Sequence, residues 1–234
     1  MEKLKKYINT IENLSINDEQ INQFELYYEM LIDKNKVMNL TAITEKDEVI
    51  LKHFIDSIAL AKYYEFSNQK LIDIGTGAGF PGIPLKILFP ELDVTLFDSL
   101  NKRIKFLQEV IDRLGLKKVE AVHGRAEEGG RNLNTREKYD IAVSRAVAKM
   151  AVLSEYCLPF VKVGGCFISY KTADIEEELN NAKKAISTLG GKLEKVEKLD
   201  ISGLGRSFVF VKKIKATPKA YPRKAGTANK QPLI

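Results

Sequence analysis

Leu71-Ile72-Asp73-Ile74-Gly75-Thr76-Gly77-Ala78-Gly79 is the stretch that decides the fold. Its first four residues are mostly apolar and predict a buried strand, and three glycines at a spacing of two follow directly. Glycine has no Cβ, so the backbone can turn sharply after the strand and a ligand can approach the main chain. The stretch therefore predicts a ligand-binding turn at a strand end of an open α/β sheet.

Strand and helix patterns alternate after this turn. The apolar patterns predict further strands at 93–97, 119–122, 139–143, 166–170, 193–199 and 207–211, and helices at 84–89, 102–114, 148–157 and 175–189. Alternating strands and helices predict a parallel sheet that has helices on both faces. We expect an α/β, doubly wound Rossmann-like fold with a seven-stranded, mostly parallel sheet. Its last two strands follow each other without a helix, which predicts an antiparallel edge hairpin.

The chain divides into three parts by composition. Residues 1–66 contain no Gly or Pro and carry helical apolar spacing, which predicts an N-terminal helical extension. Residues 67–213 hold the alternating pattern and form the expected α/β domain. Residues 214–234 form a basic C-terminal tail, in which Pro218, Pro222 and Pro232 interrupt a sequence without apolar period. We expect this tail to be extended or disordered until it binds a partner.

The positive charge of the chain lies at its end. The formal net charge is +6, and residues 212–234 contain seven Lys and Arg residues and no Asp or Glu, so the remainder is nearly neutral. Basic arms commonly bind nucleic acid, because each phosphate that they neutralise releases counterions. A tail that only improves solubility is the alternative interpretation.

Other features of the composition exclude several classes of protein. Two cysteines, Cys157 and Cys166, are too few for a disulfide framework, and each is interpreted as a small core residue. The two histidines, His53 and His123, show no metal-ligand spacing, so no metal is expected. No apolar run approaches the roughly 18 residues of a membrane span, and no signal peptide is evident, so we expect a cytoplasmic protein.

The glycine turn fits two kinds of cofactor. Gly77, Gly79 and Gly82 also match the dinucleotide pattern G-x-G-x-x-G, which is weak evidence when it stands alone. In that pattern the first glycine directly follows the strand. Here the glycine that directly follows the strand is Gly75, which is not one of the three matching glycines. This difference weakens the dinucleotide interpretation, but a nucleotide-dependent dehydrogenase remains an alternative.

The residues around the turn favour S-adenosylmethionine. Pro81 and Pro84 crowd the helical turn whose amides would hold a pyrophosphate. The carboxylate of Asp73 repels a diphosphate and attracts the ammonium group of a methionine moiety. Asp98 closes the second strand, where a carboxylate accepts hydrogen bonds from the hydroxyls of a ribose.

A candidate protein nucleophile or base is missing from the expected site. The fourth strand is followed by Ser144-Arg145-Ala146, with neither a cysteine nor the Pro-Pro-aromatic turn associated with methylation of exocyclic amines. Guanine N7 suits such a site, because its lone pair lies in the ring plane and carries no proton. Catalysis then needs only alignment of N7, the methyl carbon and sulfur.

Taken together, these residues resemble the bacterial glucose-inhibited division protein B family, known as RsmG, the 16S ribosomal RNA guanine-N7 methyltransferases. The similarity runs nearly from end to end of the chain. It rests on residues 39–43, 53–57, 73–84, 98–103, 125–127, 144–148 and 221–224.

The resemblance implies the substrate and the site residues. It implies a Rossmann-like methyltransferase fold, with residues 67–213 as the S-adenosylmethionine-dependent methyltransferase domain. It also implies transfer of a methyl group from S-adenosylmethionine to N7 of guanine 527 of 16S ribosomal RNA, within the small subunit or an assembly intermediate. It places the methyl donor on Gly75, Phe80, Ala126, Glu127 and Arg145, with Asp98 at the ribose. It places the RNA near His53, Asp56, Asn101, Lys102, Arg103, Arg125, Lys171, Arg223 and Lys224. No catalytic side chain is expected, and Arg145 and Lys171 are candidates for lining the cleft.

Two further hypotheses stay open from the residues alone. One keeps the methyl donor and changes the acceptor to a small molecule or a protein. The other is a non-catalytic RNA-binding module that retains a relict pocket. We expect a monomer in either case.

Overall fold

The computed structural model describes residues 1–145 and 148–234. Ala146 and Val147, which belong to the segment 144–148 used for the family resemblance, lie outside the described residues. The described residues form one seven-stranded sheet with helices on both faces, which confirms the predicted fold.

The elements follow the predicted alternation closely. The strands are β1 (Lys70–Ile74), β2 (Asp93–Asp98), β3 (Val119–His123), β4 (Tyr139–Ser144), β5 (Val161–Thr172), β6 (Gly191–Ile201) and β7 (Leu204–Lys213). The helices are α1 (Glu2–Ile8), α2 (Asp18–Met38), α3 (Lys46–Val49), α4 (Asp56–Ile58), α5 (Gly82–Leu88), α6 (Asn101–Arg113), α7 (Ala126–Gly129), α8 (Met150–Cys157), α9 (Glu176–Thr188) and α10 (Thr227–Lys230). A π-helical segment, Ile50–Ile55, joins α3 to α4.

The order of the strands positions the functional edge of the sheet. It is β3-β2-β1-β4-β5-β7-β6, and β7 runs antiparallel to both of its neighbours, as the predicted edge hairpin requires. The connections turn in opposite directions on the two sides of the β1–β4 pair. In such a sheet a crevice opens beyond the carboxyl ends of the central strands, and ligands bind there. The glycine turn after β1 lies at this crevice.

Each face of the sheet is covered by its own core. Side chains alternate along a strand, so Leu71 belongs to the core beneath the N-terminal helices, α5 and α6, while Ile72 belongs to the core beneath α8 and α9. Both residues are completely buried. Because β1 is buried on both faces, it reads in the sequence as a continuous apolar run interrupted only by Asp73.

The N-terminal helices pack on the sheet domain and share its core. Helix α2 begins with a capping box, in which Asn17 and Gln20 each accept a hydrogen bond from the other's backbone amide. The side-chain amide of Gln20 donates to the carbonyl of Ile87 at 2.8 Å, and the hydroxyl of Tyr27 donates to the carbonyl of Ala78 at 2.6 Å. Helix α2 therefore braces both α5 and the glycine turn.

The prediction of an extended or disordered tail is wrong. Residues 214–234 pack against the domain and contain the short helix α10, and both Thr217 and Ala228 are buried. The guanidinium group of Arg136 donates to the carbonyls of Thr217 and Tyr221, at 2.6 and 2.8 Å. The tail lacks an apolar period because polar side chains of distant segments, and not a hydrophobic face, hold its backbone.

Two smaller predictions concern burial. Cys157 and Cys166 are both free and buried, which confirms their interpretation as core residues. Within the described ranges, no helix combines the length and the apolar character that crossing a membrane requires.

Candidate functional site

Asp73 lies at the end of β1 and is fully buried. Its Oδ2 accepts hydrogen bonds from the hydroxyl of Thr76 at 2.7 Å and from the amide of Gly82 at 2.8 Å. Its Oδ1 has no hydrogen-bond partner in the described part of the chain. Burial raises the pKa of Asp73 to about 7, although the two hydrogen bonds oppose this shift. An unpaired buried carboxylate oxygen is a strong acceptor for a cationic ligand.

The glycines of the turn have different structural roles. Gly75, Gly77 and Gly79 have φ values of +71°, +64° and +107°, a region that favours glycine. A Cβ on Gly77 would meet nothing within 4 Å, so its requirement is conformational. A Cβ on Gly79 would lie 2.8 Å from the hydroxyl of Tyr27. Gly79 therefore lets helix α2 pack against the turn.

Asp98 ends β2 beside the turn. Its Oδ2 accepts from the amide of Gly77 at 2.9 Å and from Arg103 at 3.2 Å, and its Oδ1 accepts from the amide of Leu100 at 2.9 Å. It is 2% exposed, yet it lines a cavity. The carboxylate thus ties the end of β2 to the glycine turn and to α6.

A cavity of about 270 Å³ lies over the ends of β1, β2 and β3, and we call it the donor cavity. Of the residues predicted to bind S-adenosylmethionine, the structure places Gly75, Asp98, Ala126 and Glu127 in its lining. Sequence reasoning missed further lining residues, among them Tyr156, Gly226 and Asn229. The last two belong to the tail, and no local pattern could reveal them because only tertiary packing brings the tail here.

A second cavity, of about 450 Å³, lies beside β4 and β5, and we call it the acceptor cleft. His53, Asp56, Arg145 and Lys171 line it, so the structure brings these predicted residues together. Sequence reasoning missed further lining residues, among them Lys52, Lys149, Glu178 and Arg206. Arg206 directly precedes the buried run of β7, and a charge at that point was the available signal.

Asp56 organises the acceptor cleft. It is 3% exposed, and its two oxygens accept from Arg145 at 3.0 Å and from Arg206 at 2.6 Å. Such a pair of arginines neutralises the buried carboxylate and leaves one excess positive charge. The guanidinium of Arg145 also lies 5.0 Å from the ring centroid of Phe80, which connects the cleft to the glycine turn.

His53 is a packed and uncharged residue of the cleft wall. Its ring stacks on Phe80 with centroids 4.6 Å apart, and its Nε2 lies 2.8 Å from the hydroxyl of Thr41. Burial, and secondarily the charge of Arg145, lower the pKa of His53 to about 3. His53 is therefore neutral at physiological pH and positions Phe80 and Arg145.

The remaining predicted RNA-facing residues fall into two groups. Lys102, Arg125 and Lys224 are exposed, as is Asn101, and Arg125 lies at the rim of the donor cavity. Three others are engaged by protein groups: Arg103 binds Asp98, Lys171 donates to the carbonyl of Ala148 and to Glu178, and Arg223 binds Glu155. The structure does not bring Arg223 and Lys224 to the acceptor cleft.

Comparison with known proteins identifies the family. The model of the family described as rRNA small subunit methyltransferase G matches residues 20–206. The chain is 56% identical over 226 residues to a protein named ribosomal RNA small subunit methyltransferase G from Lachnoclostridium phytofermentans, covering 94% of this chain and 93% of that one. It is 52% identical over 225 residues to the Bacillus subtilis protein of the same name, covering 95% and 94%.

Solved structures share the fold at low sequence identity. A SAM-dependent methyltransferase from Aquifex aeolicus superposes with a TM-score of 0.55 at 15% identity, covering 74% of this chain and 96% of that one. M. jannaschii TYW2, solved in complex with AdoMet, gives a TM-score of 0.56 at 17% identity, covering 74% and 80%. The family model matches most of the chain, and both relatives are more than 50% identical to it. The chain therefore belongs to the rRNA small subunit methyltransferase G family.

Proposed function

We propose that this protein transfers the methyl group of S-adenosylmethionine to N7 of a guanine in the 16S ribosomal RNA of the cytoplasmic small subunit or its precursor. One observation carries the proposal: the donor cavity and the acceptor cleft are separate, and Ala148 lines both. Two cavities that meet at one residue suit a direct transfer between two bound substrates. The family expectation for the position is guanine 527.

The donor cavity fits S-adenosylmethionine by the chemistry of its residues. Asp98 lines it and, in this proposal, accepts from the ribose hydroxyls. Asp73 is fully buried and does not line it, and we propose that its unpaired Oδ1 accepts from the ammonium group once the donor is bound. The cofactor supplies an electrophilic methyl group on a sulfonium. A net cation is favoured where two buried carboxylates, Asp73 and Asp98, lie at adjacent strand ends.

The acceptor cleft fits a polyanion. Among the described residues that line it, five side chains are cationic and two are carboxylates, and these are Lys52, Arg145, Lys149, Lys171, Arg206, Asp56 and Glu178. Such an excess favours the phosphates of RNA over a neutral small molecule. We propose that Lys102, Arg125 and Lys224, which are exposed, contact phosphates outside the cleft.

The residues of the cleft favour an acceptor atom that needs no base. His53 has a pKa of about 3 and is held by Thr41 and Phe80, so it is a poor proton acceptor. Asp56 is already paired with two arginines. Guanine N7 carries an in-plane lone pair and no proton, so it would accept the methyl group that the bound donor supplies without help from a base. Arg145 and Phe80 orient the two substrates at the point of transfer.

The proposal is tested by incubating the protein with donor labelled on the methyl group and with small subunits that lack the modification. We expect label in 16S RNA and, after borohydride reduction and aniline treatment, chain cleavage at a single guanine. Label that remains absent from RNA, while the protein still binds the donor, would reject the RNA acceptor. Gel filtration of the free protein tests the accompanying expectation of a monomer.

A further inference from the structure

The C-terminal tail forms part of the donor cavity. Gly226 and Asn229 line it together with Asp98 and Ala126, although more than 90 residues separate them in the chain. Asn229 lies in the short helix α10 and remains solvent-exposed. The tail is therefore placed where it can contact a ligand of this cavity.

Polar contacts join the tail to the side of the cavity that lies over β3. The amide of Gly226 donates to Oε1 of Glu127 at 2.9 Å, and the side-chain amide of Asn229 donates to the hydroxyl of Tyr156 at 2.9 Å. The amide nitrogen of Asn229 is thus engaged by Tyr156, and its amide oxygen is available to a ligand.

Upstream contacts hold the tail in this position. Arg223 donates to both oxygens of Glu155, whose side chain is 1% exposed. Arg131 donates to the carbonyl of Pro222 at 2.6 Å. These anchors precede Gly226 directly, so the position of residues 224–230 over the cavity is fixed by buried contacts.

The order of the strands indicates which end of the donor lies beside the tail. The glycine turn follows β1, the ribose carboxylate Asp98 ends β2, and Ala126 begins α7 after β3. A ligand that extends across these ends from Asp73 through Asp98 places its base beside α7. The base edge then lies beside the tail residues that contact Glu127 and Tyr156.

We propose that residues 224–230 are a wall of the donor site and that Asn229 is a specificity-determining residue, whose amide oxygen accepts a hydrogen bond from the amino group of adenine. This inference rests on the proposed function, because it deepens the assignment of the donor cavity to S-adenosylmethionine. An amide oxygen accepts from the N6 amino group of adenine and repels the O6 carbonyl of hypoxanthine. Asn229 therefore selects adenosine over inosine compounds.

The test measures binding by calorimetry with two probes, S-adenosylhomocysteine and S-inosylhomocysteine. Asn229→Ala weakens binding of the adenosyl compound by about 3- to 10-fold, the contribution of one hydrogen bond, and strengthens binding of the inosyl compound, because the amide oxygen that repels O6 is removed. Asn180→Ala is the matched control, since Asn180 is an exposed asparagine on α9 outside the donor cavity. It binds both probes as the wild type does.

A second readout follows the tail itself. In the full-length protein, S-adenosylhomocysteine slows tryptic cleavage after Lys224 and Lys230, because the ligand ties residues 224–230 to the cavity. Asn229→Ala reduces this protection. Tyr156→Phe, which keeps the ring and removes the hydroxyl that binds Asn229, reduces it as well.

The outcomes separate this inference from the proposed function. If the wild type binds the adenosyl probe and Asn229→Ala binds it equally well, the role of Asn229 is overturned while the donor site stands. If cleavage at Lys224 and Lys230 is unaffected by ligand, the tail is no wall of the site. A wild type that binds no S-adenosyl compound overturns both.

Discussion

Replacing Arg223 by methionine tests whether this basic residue stabilises the fold. In the sequence Arg223 is one of the cluster that predicts RNA binding, yet its guanidinium donates to both oxygens of Glu155 through Nε and Nη2. Its backbone amide donates to the same carboxylate at 2.7 Å. Because the Glu155 side chain is 1% exposed, the substitution leaves a buried carboxylate without its counter-charge.

The expected loss follows from this burial. Removing one partner of a buried ion pair costs about 3–5 kcal/mol, whereas an exposed pair contributes roughly 0–1 kcal/mol. Local undocking of the tail lets water reach Glu155, so we expect the lower end, about 3 kcal/mol. In a chain of this length that corresponds to a fall in melting temperature of about 6–12 °C.

Urea denaturation of matched variants measures the effect. Lys118→Met is the control, because Lys118 pairs with Glu91 at a site where the side chains are 56% and 73% exposed. Arg223→Met combined with Glu155→Leu should recover much of the loss, since no unpaired charge remains. If Arg223→Met costs no more than Lys118→Met, the reasoning is refuted.

Three further predictions follow from the site. Burial raises the pKa of Asp73 from 3.8 to about 7. The contribution of Asp73 to stability is therefore complete below pH 4 and is lost as the pH rises through 7. We expect Asp73→Asn to unfold at a higher urea concentration than the wild type at pH 8, and not at pH 4. Donor affinity should rise with pH by up to about tenfold per unit until pH 7 in the wild type, because the ammonium binds the ionised carboxylate, and calorimetry should show no such dependence for Asp73→Asn. Gly79→Ala should lower the melting temperature more than Gly77→Ala, because only the former brings a Cβ within 3 Å of Ile83 and Tyr27; equal losses would contradict the packing role. Arg206→Gln should lower kcat/KM for small subunits by about 10- to 100-fold, or about 1.4–2.7 kcal/mol, without changing the donor Kd. Arg113→Gln, at the end of α6 that lies away from the site, should leave both constants unchanged.

Much of the donor site was predictable because its residues follow strand ends. Gly75 comes after β1, Asp98 ends β2 and Ala126 follows β3, and the carboxyl ends of neighbouring parallel strands meet at one edge. A local pattern that marks a strand end therefore also marks a place in the site. Ala126 and Arg145 were expected from the family resemblance, and Arg145, which directly follows β4, lines the acceptor cleft.

The acceptor cleft was only partly predictable. His53 and Asp56 come from the N-terminal helices, and the family resemblance alone pointed to them. Arg206 was missed because it binds Asp56 across 150 residues of sequence. A pairing of that kind has no periodicity, and a charged residue directly before the buried run of β7 was the one local feature that could have suggested it.

The sequence by itself determined the α/β alternation, the seven strands with their edge hairpin, the glycine turn and the carboxylates beside it. Apolar periodicity and glycine conformation are local properties, which is why they can be read along the chain. Only the tertiary structure decided what the basic tail does. Its lack of an apolar period predicted an extended or disordered arm, but Arg131, Arg136 and Glu155 bind it to the domain, so Arg223 forms an ion pair and Asn229 lines the donor cavity. Polar contacts between distant segments depend on which surfaces the fold brings together, and composition does not record that.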